Sequence, residues 1–169
     1  YKFTLVNDNC HAMGAKYFNN KKYAVKYSDF VIQSYHAVKN LTTGEGGAVL
    51  SNNKKIIEKI RKLKTHGVVR KNSNKPWLYE MESLGFNARI TDFQCSLGIS
   101  QLKKLDKVVK KKQKLASIYS YHLRGLENIE IPDFQKNKMS ALHLYPVKIN
   151  FDNLKISKEK FFSFFKKKN

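Results

Sequence analysis

Within one short stretch the chain places a hydroxyl, a lysine and a glycine-rich turn: Ser34-Tyr35-His36-Ala37-Val38-Lys39 runs straight into Asn40-Leu41-Thr42-Thr43-Gly44-Glu45-Gly46-Gly47. Upstream, a weakly alternating apolar run ends at Asp8-Asn9-Cys10-His11-Ala12-Met13-Gly14. A lysine attacks a carbonyl only as a neutral amine held in one place. Lys39 follows an apolar strand and precedes a tight turn, so its amine lies at a strand's carboxyl edge, where α/β proteins build their sites. A carboxylate such as Asp8 raises the pKa of a heterocyclic nitrogen beside it. The Ser34 hydroxyl could hydrogen-bond a phosphate without adding charge. His11 could stack on, or bond to, a planar ring.

An acid, a hydroxyl and a lysine are what a pyridoxal 5'-phosphate site requires. Each residue also has a plainer reading. Asp8 suits a strand-end turn, Ser34 a local bond to the backbone, His11 a structural role, and Lys39 is one of many lysines. Gly44-Glu45-Gly46-Gly47 lacks the lysine and serine spacing of a phosphate loop and reads as a close-packed turn. Asn87 and Arg89, in an irregular segment, could bind an anion or belong to a polar loop. Cys10 and His11 are adjacent and, on a strand, would point to opposite faces, which excludes a nucleophile pair. Cys95 falls inside a helical pattern and reads as a small buried residue. The five histidines show no two-ligand spacing on one helix, so no metal is expected.

The elements that must position these groups follow from periodicity. Residues 2–7 read as a strand ending at Asp8. Asp29 to Ser34 reads as a second, apolar on both faces and therefore interior, and Ala48-Val49-Leu50 as a third. Ile56, Ile57, Ile60 and Leu63 recur at helical spacing, with Ser51 or Asn52 as the cap and Gly67 as the stop. Residues 68–90, with Pro76-Trp77, read as irregular. Thr91 and Gln94 form a capping-box pattern, and a helix is expected from there to about Leu123. Its apolar face would be Leu97, Leu102, Leu105, Val109, Leu115, Ile118 and Tyr119, with Lys103, Lys104 and Lys110 to Lys112 mostly on the solvated side. Strands alternating with helices predict an α/β layer. After Gly125, residues 128–132 and 142–149 look like strands of a smaller unit. Ser157 would cap a last helix carrying Phe161, Phe162, Phe164 and Phe165, four rings that need cover.

Composition narrows the function classes. With 41% apolar residues the 169-residue chain is globular. No apolar run is long enough to cross a bilayer, so no membrane partner is expected. Two cysteines support neither a disulfide framework nor a zinc site, which fits a reducing cytoplasm. The net charge of +20 points toward polyanions. The excess is mostly lysine spread along the chain, however, and the runs Lys110 to Lys112 and Lys166 to Lys168 are not interleaved with stacking aromatics. Nucleic acid is therefore disfavoured as a partner.

The stretches DNCHAMGAKY, SDFVIQSYHAVKNLTTGEGGAVLSN, the His66-Gly67 pair, LGFNARITDFQCSLGISQLKKLD and HLYPV resemble, in order, the DegT/DnrJ/EryC1/StrS sugar aminotransferases. They cover most of residues 5–150. The resemblance implies a part of the fold-type-I pyridoxal-phosphate transferase architecture. Residues 1–124 would be the C-terminal part of the large cofactor domain with its long connecting helix, and 125–169 the start of a small α+β domain. It implies that Lys39 is the Schiff-base lysine and that Asp8 pairs with the pyridine nitrogen. His11 would lie near the ring hydroxyl and Ser34 on the phosphate. Asn87 would reach the cofactor phosphate of a neighbouring subunit, hence a homodimer with shared sites, and Arg89 belongs to the same loop.

Tyr27-Ser28-Asp29 and the 76–81 segment resemble the pseudaminic acid branch. This implies amino transfer from L-glutamate to the C4 ketone of a UDP-linked 4-keto-6-deoxy sugar. Ala37 stands where a proline is common and Ala88 where an aromatic is common. Family members are more than twice as long, so the expectation is a partial chain, lacking a phosphate loop and a ring-covering aromatic, with little or no turnover alone. The competing expectations are a catalytically silent partner of an intact subunit and, less favoured, a basic nucleic-acid binder.

Overall fold

The apolar run Phe30-Val31-Ile32 becomes the middle strand of a three-stranded sheet, as a strand apolar on both faces should. The structure is a computed structural model and describes residues 2–70, 74, 75, 77–134 and 138–168. Pro76, singled out above with Trp77, lies outside the described residues. In chain order the elements are β1 (Val6–Asp8), β2 (Lys16–Tyr17), α1 (Tyr23–Tyr27), β3 (Phe30–Ser34), β4 (Gly47–Leu50), α2 (Lys54–Leu63), β5 (Val68–Val69) and β6 (Glu80–Met81). The 32-residue α3 (Asp92–Leu123) follows. After it come β7 (Ile129–Glu130), β8 (Lys138–Met139), β9 (Lys148–Ile149), α4 (Phe151–Leu154) and α5 (Lys158–Lys168).

The main sheet has the order β1-β3-β4. β1 runs parallel to β3, with Asp8 opposite Ile32, and β4 returns antiparallel, with Gly47 opposite Ser34. The short ladders are all antiparallel: β2 with β8, β5 with β6, and β7 with β9. The β2–β8 pairing brings residues 138–139 back to the segment that follows Asp8.

Local chemistry accounts for the helix ends. Asn53, not Ser51 or Asn52, caps α2: its side chain accepts from the Lys55 and Ile56 amides. Ser51 instead accepts from the Asn53 amide, and Asn52 donates to the Val25 carbonyl. Thr91 and Gln94 form the full reciprocal capping box of α3, and the helix ends at Leu123 as its pattern predicts. Ser157 accepts from the Lys160 amide at the start of α5.

The buried stripe of α3 differs from the predicted one. Leu105, Val109 and Ala116 are buried, whereas Leu97, Leu102, Leu115, Ile118 and Tyr119 are exposed. Burial at 105, 109, 112–113 and 116 follows the 3.6-residue period, and the remaining apolar residues lie off that line. Leu105 and Val109 pack with Leu41 and Ala141, flanked by Met13, Ala15, Tyr35 and Met139. This small core lies beneath the Lys39 loop. Residues 142–147, expected as strand, leave only Lys148–Ile149 in a ladder. Of the four terminal phenylalanines, Phe161 is half-buried against Phe151 and Phe165, and the others are exposed.

Gly14 packs directly on the core of α3. Its φ is +92°, and a Cβ there would stand 2.7 Å from Val109 Cγ2. Gly14→Ala combines backbone strain with overpacking and should destabilise the chain by about 1–3 kcal/mol. Urea unfolding measures this, and a loss below about 0.5 kcal/mol would contradict the packing described.

Candidate functional site

Parallel pairing of β1 and β3 sends both carboxyl ends to one sheet edge. Asp8 closes β1 and Ser34 closes β3, so the acid and the loop leading to Lys39 leave the sheet side by side. The chain turns sharply after Asp8. The Asn9 amide still bonds to the Ile32 carbonyl at 2.9 Å, and the Ala12 amide bonds back to Asn9 at 3.0 Å. Residues 10 and 11 therefore lie in a turn rather than on the strand. The Cys10 amide donates to Asp8 Oδ1 at 3.0 Å. Hydrogen bonds from the Cys10 thiol and amide hold the Asp8 carboxyl below its ordinary value, with His11 and Lys39 acting in the same direction. The same contact pushes the Cys10 thiol up, away from thiolate chemistry.

The lysine loop is fixed largely by its own backbone. The Tyr35 amide donates to the Gly46 carbonyl at 2.8 Å, and the Thr43 amide returns to the Tyr35 carbonyl at 2.9 Å. The Lys39 amide donates to the His36 carbonyl at 3.0 Å. Ser34 Oγ accepts from the His36 amide at 3.4 Å, a long bond that leaves the hydroxyl proton for another acceptor. Gln94 of the α3 capping box donates to the Glu45 carbonyl at 2.8 Å, which ties the glycine turn to the helix N-terminus.

Asn40, buried beside Lys39, fastens this loop to its surroundings. Its amide nitrogen donates to the Met13 carbonyl at 3.3 Å and the Ala141 carbonyl at 2.9 Å. Its oxygen accepts from Lys112 Nζ. The sequence reading put Lys112 on a solvated face. It is half-buried, and burial lowers the pKa of its ammonium. The helical phase set by Leu105 and Val109 would have revealed it.

His143 enters the same neighbourhood from residues 141–147. Its ring centroid lies 4.3 Å from that of His11, the planes tilted by 52°. Burial lowers its pKa, and the positive charges of His11, Lys39 and Lys112 add to the effect. The sequence offered HLYPV as a motif but gave His143 no role.

Asn87 and Arg89 lie on a different part of the chain. Asn87 bridges to Thr65, and its side-chain oxygen accepts from Arg89 Nε at 3.1 Å. Both are exposed. The structure thus gathers Asp8, His11, Ser34 and Lys39 around one edge and holds Asn87 with Arg89 elsewhere. An ionised carboxylate, an amine and a hydroxyl at one sheet edge form a donor set that fits pyridoxal phosphate.

A profile of the DegT/DnrJ/EryC1/StrS aminotransferase family matches residues 1–169. The chain belongs to this family. It is 40% identical over 165 residues to UDP-4-amino-4,6-dideoxy-N-acetyl-beta-L-altrosamine transaminase of Campylobacter jejuni, covering 96% of this chain and 42% of that protein. It is 39% identical to an uncharacterised protein of Methanocaldococcus jannaschii, covering 100% of this chain and 45% of the other. Among solved structures, Helicobacter pylori PseC, an aminotransferase of pseudaminic acid biosynthesis, superposes with a TM-score of 0.84 at 30% identity. That match covers 98% of this chain and 43% of the PseC chain. The PLP form of a sugar aminotransferase of Streptococcus pneumoniae matches at TM-score 0.77 and 25% identity, covering 88% of this chain and 38% of that one. The chain spans less than half the length of these relatives. Its architecture is accordingly part of the PLP-dependent sugar aminotransferase fold. No helix among the described residues is long and apolar enough to cross a membrane.

Two predictions follow from the geometry around Lys39. Asn40→Ala strips partners from two carbonyls and a half-buried ammonium and should cost about 2–4 kcal/mol. Adding Lys112→Met should then cost less than it does alone, because the ammonium has already lost its partner; strict additivity in urea melts would refute the contact. The second concerns pH. His143 titrates lower folded than unfolded, so the unfolded state binds more protons just below the ordinary midpoint of 6.5. Stability present above that pH should fall as pH drops through the window, and His143→Phe should flatten the slope there.

Proposed function

We propose that this chain carries the lysine-bearing part of the active site of a PLP-dependent nucleotide-sugar aminotransferase. The observation that carries this reading is the common edge reached by Asp8 and by the Ser34-to-Lys39 loop, in a chain of this family. Pyridoxal phosphate, when bound, supplies an electron sink for the carbon that bears the amino group. Lys39 Nζ would anchor it covalently. Once free, that amine would take the proton from the donor carbon and return one to the acceptor side as general acid and base. Asp8, ionised at neutral pH, would keep the pyridine nitrogen protonated. His11 would meet the ring hydroxyl, and Ser34 the phosphate.

The proposed donor is L-glutamate, leaving as 2-oxoglutarate. The acceptor is the C4 ketone of a UDP-linked 4-keto-6-deoxy sugar, which becomes the 4-amine. The likeness to the Campylobacter transaminase and to Helicobacter PseC supports this substrate class. Asn87, held by Arg89, would reach the cofactor phosphate of a second subunit, making the assembly a homodimer with shared sites. Exposed apolar residues on that side, Leu84, Phe86 and Phe93, support an interface there. A reducing cytoplasm suits the two free cysteines. Residues 1–124 would form the large-domain part and 125–169 the start of the small domain.

Borohydride reduction of the chain with pyridoxal phosphate, followed by peptide mapping, tests the anchor. The label should sit on Lys39 and vanish in Lys39→Ala. Asp8→Asn should weaken capture by about tenfold, the worth of one charge-assisted hydrogen bond of about 1.5 kcal/mol. Label scattered over surface lysines, or none at all, would defeat the reading.

A further inference from the structure

We propose that His143 is a positioning residue of the cofactor site, holding the ring of His11 in place through its own imidazole. The inference rests on the functional reading above and adds a residue from beyond the long helix to that site.

Three observations carry it. First, His11 is exposed and stands in the turn after Asp8, where nothing in its own backbone fixes the ring. The His143 ring supplies a contact at 4.3 Å between centroids. Second, His143 Nδ1 is buried and has no hydrogen-bond partner among the described residues. A buried polar nitrogen without a partner is costly, and a phenylalanine or leucine would fill the same space without that cost. Packing alone therefore does not account for a histidine here. Third, the backbone that delivers it is held in an uncommon shape. Leu142 has φ +51°, a region L residues with large side chains rarely occupy, and such conformations persist where surroundings enforce them at functional positions. The surroundings here are the Asn40 bond to the Ala141 carbonyl at 2.9 Å and the Leu142 amide bond to Ser140 Oγ at 3.1 Å.

The charges facing His143 come from every packed element: His11 from the turn after β1, Lys39 from the loop after β3, and Lys112 from α3. With the Lys39 and Lys112 ammonium groups nearby, a neutral imidazole is the form that coexists with them. A neutral ring packs on His11 without adding charge beside it.

Proton NMR of the full chain without cofactor is the first test. The wild type should show nuclear Overhauser contacts between the two imidazoles. In His143→Ala, the His11 ring resonances should move toward those of a free histidine, whereas His143→Phe should keep them packed. Unchanged His11 resonances in His143→Ala would overturn the proposal. The second test loads wild type and both variants with pyridoxal phosphate and follows the cofactor absorbance band with pH. His143→Phe, with packing retained, should still shift the midpoint by about half a unit or more. An equal midpoint in wild type and His143→Phe would make His143 a packing residue and nothing more. If the wild type takes up no cofactor while the ring contact is intact, the functional reading fails instead, and the apo spectra alone decide whether His143 holds His11.

Discussion

One buried carboxamide joins three separate segments around the Lys39 loop. Asn40 donates to the carbonyls of Met13 and Ala141 and accepts from Lys112, so it touches the turn after β1, α3 and the segment leading to His143. The Ala141 carbonyl is a buried group that would otherwise go unsatisfied, and the other two partners are half-buried. The apolar cluster of Leu41, Leu105, Val109 and Ala141 surrounds these bonds and keeps water from competing for them. Because Lys39 is the preceding residue, its main chain has little freedom to move without breaking this junction. The backbone position of Lys39 is thus set by packing on α3 and by a carbonyl from 102 residues away along the chain.

The parts legible in the sequence were those governed by local rules. The capping box at Thr91 and Gln94, the end of α3 at Leu123, the interior strand at 30–34 and the turn at 44–47 follow from propensity and spacing. The failures were matters of phase and tertiary choice. Three adjacent polar residues, Ser51, Asn52 and Asn53, are equivalent caps by type, and only the bonds of the first two to Asn53 and Val25 assign the role to Asn53. Lys112 reads as solvated because lysines surround it. Two turns of helix decide the matter, since it lies seven residues beyond Leu105 and therefore on the buried line. His143 was hidden for a different reason. Its segment is neither strand nor helix, and a contact with His11 across 132 residues has no local signature.

Large apolar residues stand exposed on several elements. Phe93 is 91% and Leu84 89% exposed, and Leu5 and Val6 stand open at the start of the edge strand β1. A parallel strand usually has neighbours on both edges and layers on both faces, and an open edge is a pairing hazard. The chain spans less than half the length of its relatives. The charge of +20 works against association driven by those faces, because like charge keeps copies apart at low ionic strength.

Register ties the sheet to the site. Gly47 stands opposite Ser34, and a Cβ on it would approach the Gln33 carbonyl at 2.6 Å. A side chain at that position would push β4 away from the end of β3, where the lysine loop begins. Because side chains alternate along a strand, a slip of one residue would turn Ser34 to the other face and present Gln33 in its place. The Tyr35 amide opposes such a slip through its bond to the Gly46 carbonyl at 2.8 Å. Gly47 lets β4 close on the end of β3, while the parallel β1–β3 pairing leaves the Ser34 hydroxyl and the Asp8 carboxylate at a shared edge.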